Sequence, residues 1–193
     1  GSGEPLSNFD NTVKFLKLIS CRQGLNLSLR NISLSTCGIV PQIYNFAKLG
    51  MPVTLSLSLH SAFDEVRQKI MPIAKKYTVK QTIDAVRHYF EISGRRIIIE
   101  YTMIKDLNIS QKDADKLKEV LSGLNCHINL IMLSPVENSG FLPCSKQQAE
   151  AFKDMLEKNK LSVTFRRQTG VDIEGSCGQL RRRHIILCQG ESY

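Results

Sequence analysis

"VTLSLSLH", residues 53–60, decides the fold. Val53, Leu55, Leu57 and Leu59 alternate strictly with Thr54, Ser56, Ser58 and His60, the period of a strand that buries one face. A helix is expected from about Asp64 in "AFDEVRQKI", and a longer one in "VKQTIDAVRHYFEISG" (79–94), stopped by Gly94. "RRIIIEYTMI" (95–104) then returns to a strand rich in β-branched residues. Strand, helix and strand at this spacing make a βαβ unit, whose strands run parallel.

The same alternation extends both ways. Upstream, "NTVKFLKLIS" (11–20) places Val13 and Leu16 on one helical face with Phe15 beside them; "NISLST" (31–36) reads as a strand, and "VPQIYNFAKLG" (40–50) as a short helix ending at Gly50. Downstream, "SQKDADKLKEVLSGL" (110–124) is a helix capped by Ser110, "HINLIML" (127–133) a strand, and "SKQQAEAFKDMLEKN" (145–159) a helix capped by Ser145. "LSVTFRR" (161–167) is a last strand, leading into a polar loop that carries Cys177. A closed eight-unit barrel needs roughly 250 residues. The expected fold is therefore α/β: an incomplete (βα) barrel, with a parallel sheet of about five strands, helices outside, and one domain across residues 1–193. In such a sheet the active groups gather at the C-terminal ends of the strands. Ser35, His60, Ser134 and the Cys177 loop fall there, and Glu4 joins them if a strand precedes Gly1.

Composition narrows the class. The chain is 42% hydrophobic and 23% charged, ordinary for a globular domain, and no stretch approaches the ~20 apolar residues of a membrane span. Lys and Arg number 26 against 18 Asp and Glu, a formal +8, which favours polyanionic partners, RNA above all. The six cysteines show no C-x-x-C pair and no small disulfide framework, so most read as buried apolar residues of a reducing, cytoplasmic setting.

Three stretches could carry chemistry. "GSGEP" (1–5) combines a tight glycine turn with Glu4, a carboxylate able to accept hydrogen bonds from an ammonium group. His60, closing its strand, could serve as a base, a ligand or a hydrogen-bond donor. In "GSCGQL" (175–180) small neighbours leave the Cys177 sulfur accessible, and Arg166, Arg167 and Arg181–Arg183 would favour its thiolate.

"GSGEPLSNFDN", "LSTCGIVPQI", "SLSLHSAFDEVRQKIMPIAKKY", "HINLI" and "RRQTGVDIEGSCGQL" occur in an order that resembles the radical S-adenosylmethionine (SAM) rRNA methyltransferases of the RlmN and Cfr type, from Gly1 to about Arg183. The resemblance implies a partial radical SAM barrel that methylates a ring carbon of adenosine. "GVDIEGSCGQL" is closer to the RlmN type, which acts on carbon 2 in 23S rRNA and in certain tRNAs, than to the carbon-8 Cfr type. It implies that Gly3 and Glu4 hold the methionine amino end of SAM, and that Ser35, Ser58, Leu59, His60 and Ser134 line the rest of its pocket. It makes Cys177 the catalytic cysteine that carries a methyl group from one SAM, while a second SAM supplies the radical. That chemistry fits an aryl carbon unreceptive to a methyl cation, with a base splayed out to meet the cysteine.

Some positions depart from the family pattern. Ser134-Pro135 stands where asparagine-proline is usual, Ala62-Phe63 where proline-asparagine is common, and Asp106-Leu107 where glycine-valine precedes Asn108. No C-x-x-x-C-x-x-C occurs in the 193 residues, although the resemblance implies a [4Fe–4S] cluster on three such thiolates. It also implies an upstream RNA-recognition domain and an electron donor such as flavodoxin or ferredoxin. The expectation is a C-terminal part of the enzyme, inactive by itself. The competing reading is a basic RNA-binding relative that has lost the cluster.

Overall fold

The structure is a computed structural model and describes residues 3–134 and 140–166. The chain divides into Glu4–Phe165 and a smaller unit of Gly1–Gly3 with Arg166–Tyr193. Glu4–Phe165 holds the strands and helices found among the described residues.

Five strands, β1 (Ser33–Thr36), β2 (Thr54–Ser58), β3 (Ile97–Met103), β4 (Cys126–Met132) and β5 (Val163–Phe165), form one parallel sheet in the order β1-β2-β3-β4-β5. Each strand pairs with the next in sequence. Crossovers between parallel strands are right-handed as a rule, and crossovers of one hand that always advance in one direction put the connecting helices on the same face. The α/β fold with helices outside is as expected.

The connecting helices are α2 (Val40–Lys48), α3 (Asp64–Ile70), α4 (Val79–Ser93), α5 (Gln111–Leu121) and α6 (Lys146–Lys158), preceded by α1 (Phe9–Ser20). Their starts are written locally. Thr78, Ser110 and Ser145 each accept a hydrogen bond from the backbone N–H three residues on, and Gln81, Asp113 and Gln148 reciprocate. Gly94 ends α4 in the left-handed region at φ 63°. Met71 leaves helical geometry just before Pro72, so α3 stops after two turns and a 3-10 turn, Pro72–Lys75, follows.

Leu34, Leu55, Leu57, Ile97, Ile99, Tyr101, Ile128, Leu130 and Val163 point into the helical layer and are buried. Phe46 of α2 stacks on Tyr89 of α4 (centroids 5.6 Å apart), and Phe152 of α6 stacks on Tyr101 of β3 (5.6 Å). On α1, Val13 and Leu16 are buried as expected, but Phe15 is 57% exposed. Two residues on from Val13 is about 200° around a helix, which turns Phe15 away from the core.

The alternate residues of the same strands tell a different story. Ser33, Ser35, Thr54, Ser56, Ser58, Glu100, Thr102, His127, Asn129 and Thr164 share the face that carries no helix. A sheet packed on one side is usually this two-faced when antiparallel; parallel sheets more often bury both faces. Here the inner face is mostly polar, with Ile98 and Ile131 as its apolar members.

Candidate functional site

The C-terminal ends of β1 and β2 lie side by side, since Thr36 pairs with Leu57. Around them gather most of the residues singled out from the sequence. Glu4 precedes a 3-10 turn, Pro5–Asn8, and caps it: its Oε1 accepts from the Leu6 N–H at 3.0 Å. Oε2 accepts from the Cys37 N–H at 2.7 Å. Glu4 is thus less free than the sequence suggested, yet each carboxylate oxygen has a second lone pair for an incoming donor. Burial, then the Glu4 carboxylate, push the Cys37 thiol up to about 12.

β1 turns into α2 through Gly38, at φ 99°, whose N–H donates to Thr36 Oγ1 at 3.1 Å. A Cβ at Gly38 would stand 2.8 Å from Thr82 Cγ2 and 3.3 Å from Arg67 Nη2. Only glycine gives both this φ and this approach.

Past β2, the backbone N–H groups of Leu59 and His60 donate to the Glu100 carbonyl at 3.1 and 3.4 Å. His60 adopts the left-handed region at φ 59°, uncommon outside glycine, and is held there from two directions. Its Nδ1 accepts from the Thr102 N–H at 3.1 Å, and its carbonyl accepts from Asn108 Nδ2 at 2.8 Å. Asn108 is 0% exposed; its Nδ2 also donates to the Thr102 carbonyl and its Oδ1 accepts from the Ile104 N–H, both at 2.8 Å. Burial, then the Arg67 charge, lower the His60 imidazole from 6.5 to about 4. A backbone N–H only donates, so the ring is neutral with its proton on Nε2. Of the three roles open to His60 in sequence, this geometry leaves the hydrogen-bond donor.

Ser58 is the last residue of β2 and half-buried, and Ser35 is exposed on the inner face of β1. Ser134 is half-buried, two residues past the end of β4. Leu59 is different: its side chain is 0% exposed in the apolar core, and its backbone groups bond to Glu100 and Arg67. Gly3, in the smaller unit, has φ 105°. Cys177 lies outside the described residues, as do Arg167 and Arg181–Arg183.

The sequence reading missed three buried polar residues. Glu100 accepts at Oε1 from Ser56 Oγ (3.1 Å) and Asn129 Nδ2 (3.2 Å), and Thr164 Oγ1 donates to Asn129 Oδ1 (3.4 Å), a polar row crossing β2 to β5. Asn108 and Arg67 are the other two. Asp106, where the family resemblance implies glycine, has φ 58°; aspartate tolerates that region better than most side chains. Ala62 is 4% exposed, and Lys112 Nζ sits 5.1 Å from the ring centroid of its neighbour Phe63.

Among the described residues no three His, Cys, Asp or Glu side chains come together as a metal site. Cys21, Cys37, Cys126 and Cys144 are all free thiols. Among the described residues the donor set therefore does not fit an iron–sulfur cluster. It does fit the polar ends of an amino-acid-bearing nucleoside: a carboxylate acceptor at Glu4, a neutral donor at His60 and hydroxyls at Ser35 and Ser58. No helix of the described residues is long and apolar enough to cross a membrane.

Residues 1–117 match the radical SAM superfamily. The chain belongs to that superfamily. Its members use SAM with a [4Fe–4S] cluster as a rule. Within it, the chain is 46% identical over 185 residues to a probable dual-specificity RNA methyltransferase RlmN of Lachnospira eligens, covering 96% of this chain and 53% of that protein. It is 47% identical over 184 residues to the same-named protein of Clostridioides difficile, covering 95% and 54%. A radical SAM methyltransferase crystal structure from Sphaerobacter thermophilus superposes with a TM-score of 0.88 at 35% identity, covering 93% of this chain and 52% of that one. A domain of pyruvate-formate lyase-activating enzyme from Bacteroides vulgatus shares the fold at TM-score 0.64 and 18% identity. The chain spans about half the length of the curated relatives it matches.

Proposed function

We propose that this chain is the C-terminal part of a radical SAM methyltransferase of RlmN type, which methylates carbon 2 of adenosine in 23S rRNA and in tRNA in the cytoplasm. The reading covers residues 1–193 as barrel plus the Cys177 loop. It assigns the cluster ligands and an RNA-recognition domain to sequence outside these 193 residues, with flavodoxin or ferredoxin as electron donor. The chain alone is then inactive.

The observation that carries the reading is the meeting of Glu4, Ser35, Ser58 and His60 at the adjoining ends of β1 and β2, in a chain this similar to proteins named RlmN. Glu4, with Gly3 beside it in sequence, accepts from the amino end of SAM with its remaining lone pairs. His60 Nε2–H and the Ser35, Ser58 and Ser134 hydroxyls supply hydrogen bonds to the polar groups of the nucleoside end. Leu59 acts by holding the loop, since its side chain is in the core. Bound there, SAM supplies both the methyl group and the radical reactivity that an aryl carbon requires. Cys177 carries the methyl group to the base, and the +8 charge draws the RNA.

The test is the intact protein, purified anaerobically, incubated with SAM, a reductant and unmodified 23S rRNA or tRNA. Nucleosides are then separated against authentic standards. The expected product is 2-methyladenosine, lost on Cys177→Ala with RNA binding retained. 8-Methyladenosine would place the protein with the Cfr type, and no product with intact RNA binding would make it a binding module.

A further inference from the structure

Arg67 heads the large side chains that are fully buried, at 0% exposed. No carboxylate forms an ion pair with it: the ion pairs found among the described residues are Lys80–Asp84, Lys116–Glu119 and Lys153–Glu157, and the Asp64 charge acts on Arg67 only from beyond ion-pair distance. Its partners are carbonyls. Nε donates to Leu59 O at 3.1 Å, while Nη2 donates to Cys37 O at 2.8 Å and Ser58 O at 3.4 Å. Nη1 is buried without a partner.

Stability does not account for this arrangement. A buried cation with an unsatisfied N–H carries a desolvation penalty, and apolar side chains of similar volume often replace buried charges without loss. What an apolar side chain could not do is grip two loops. Cys37 ends the β1 side and Ser58-Leu59 the β2 side, and a rigid planar fork reaches both. Cys37 also presents its N–H to Glu4 while its carbonyl holds Arg67. A continuous chain of contacts thus runs from the Glu4 carboxylate through the Cys37 peptide and Arg67 to the residues just before His60.

We infer that Arg67 is a positioning residue for the cofactor pocket: it locks the loops after β1 and β2 together, setting the Glu4 carboxylate and the His60 donor in one geometry before the ligand arrives. The inference rests on the SAM reading above. Pre-organisation of this kind shows as affinity, because the bound geometry is not paid for at binding.

The experiment uses the intact protein with Arg67→Met, Arg67→Lys and, as a control for general destabilisation, Tyr89→Phe. The Tyr89 hydroxyl donates to Val53 O and Met51 O at the opposite, N-terminal end of β2. Calorimetry measures affinity for S-adenosylhomocysteine. Amide hydrogen exchange without ligand follows peptides spanning 33–39 and 57–62. Arg67→Met is expected to weaken binding by about tenfold or more, and Arg67→Lys by a smaller factor of about three. Both should speed exchange in the two loop peptides while leaving β3 and β4 unchanged. Tyr89→Phe should lower stability and leave affinity alone. Wild-type affinity in a folded Arg67→Met protein overturns the inference, as does an equal loss of affinity in Tyr89→Phe. If Arg67→Met does not fold, Arg67→Lys decides by the same two readouts. If the wild-type protein itself binds no S-adenosylhomocysteine, the SAM reading fails, and localised against uniform exchange then decides whether Arg67 locks the loops.

Discussion

The carboxylate of Glu4 accepts a 2.7 Å hydrogen bond from the backbone N–H of Cys37, thirty-three positions along the chain. The bond joins the turn before α1 to the end of β1 and puts a negative charge beside a thiol that burial already keeps protonated, with a pKa of about 12. Cys37 should therefore resist iodoacetamide at pH 8, while Cys21, half-exposed in the loop after α1, reacts faster than Cys37. Glu4→Gln removes the charge and should speed alkylation of Cys37 by more than about threefold. Peptide mapping by mass spectrometry after timed labelling measures both rates.

His60 makes stability depend on acid. Its ring holds a proton below about 4 in the folded protein against 6.5 ordinarily, so between these values the unfolded chain binds more protons. Stability should fall as pH drops through that window and level off below it, by up to about 3 kcal/mol from this group. His60→Gln should flatten the difference. Urea unfolding of both proteins from pH 7 to pH 4 checks it, the carboxylates contributing equally to each curve.

Asn108 satisfies three backbone groups at once, the carbonyls of His60 and Thr102 and the N–H of Ile104. Asn108→Ala should cost about 2–4 kcal/mol, because buried partners are left unpaired. It should also free the backbone of His60 from its left-handed φ, seen as faster amide exchange across 58–61. Asn108→Asp restores the acceptor but faces two carbonyls with a negative oxygen, and should be no better.

Gly38→Ala combines strain with overlap. A side chain at φ 99° is disfavoured, and its Cβ would sit 2.8 Å from Thr82 Cγ2. A loss of about 2–4 kcal/mol in urea unfolding is expected. Gly50→Ala, with φ 59° and open space around it, should cost only about 1 kcal/mol.

The sheet and its helices were legible because each element declares itself locally: period two in 53–60, Ser110 and Ser145 at their caps, Gly94 at a stop. Ser35 and His60 were legible as candidates because parallel sheets present such groups at strand ends, Glu4 through its glycine turn, and Ser58 only through the family resemblance. Arg67 and Asn108 were not. An arginine in "DEVRQKI" reads as solvated helix surface, and Asn108 as one more loop residue. A signal was nevertheless there. Arg67 falls four residues after Phe63 and three before Ile70, on the helical phase otherwise given to apolar side chains. Phe15 erred the opposite way, since residue type was allowed to outweigh phase.

The polar inner face and the apolar outer face belong to the same strands, one residue apart. Folding and chemistry are therefore written in alternating positions of a single text: in β2 and β3 the odd-numbered residues (Leu55, Leu57, Ile99, Tyr101) make the core, while the even ones, Ile98 apart (Ser56, Ser58, Glu100, Thr102), make the polar inner face. In β4 the parity reverses, with Ile128 and Leu130 in the core and His127 and Asn129 on the inner face beside Ile131. The site can thus be redrawn by evolution, or by a library confined to one parity, without rewriting the instructions for folding.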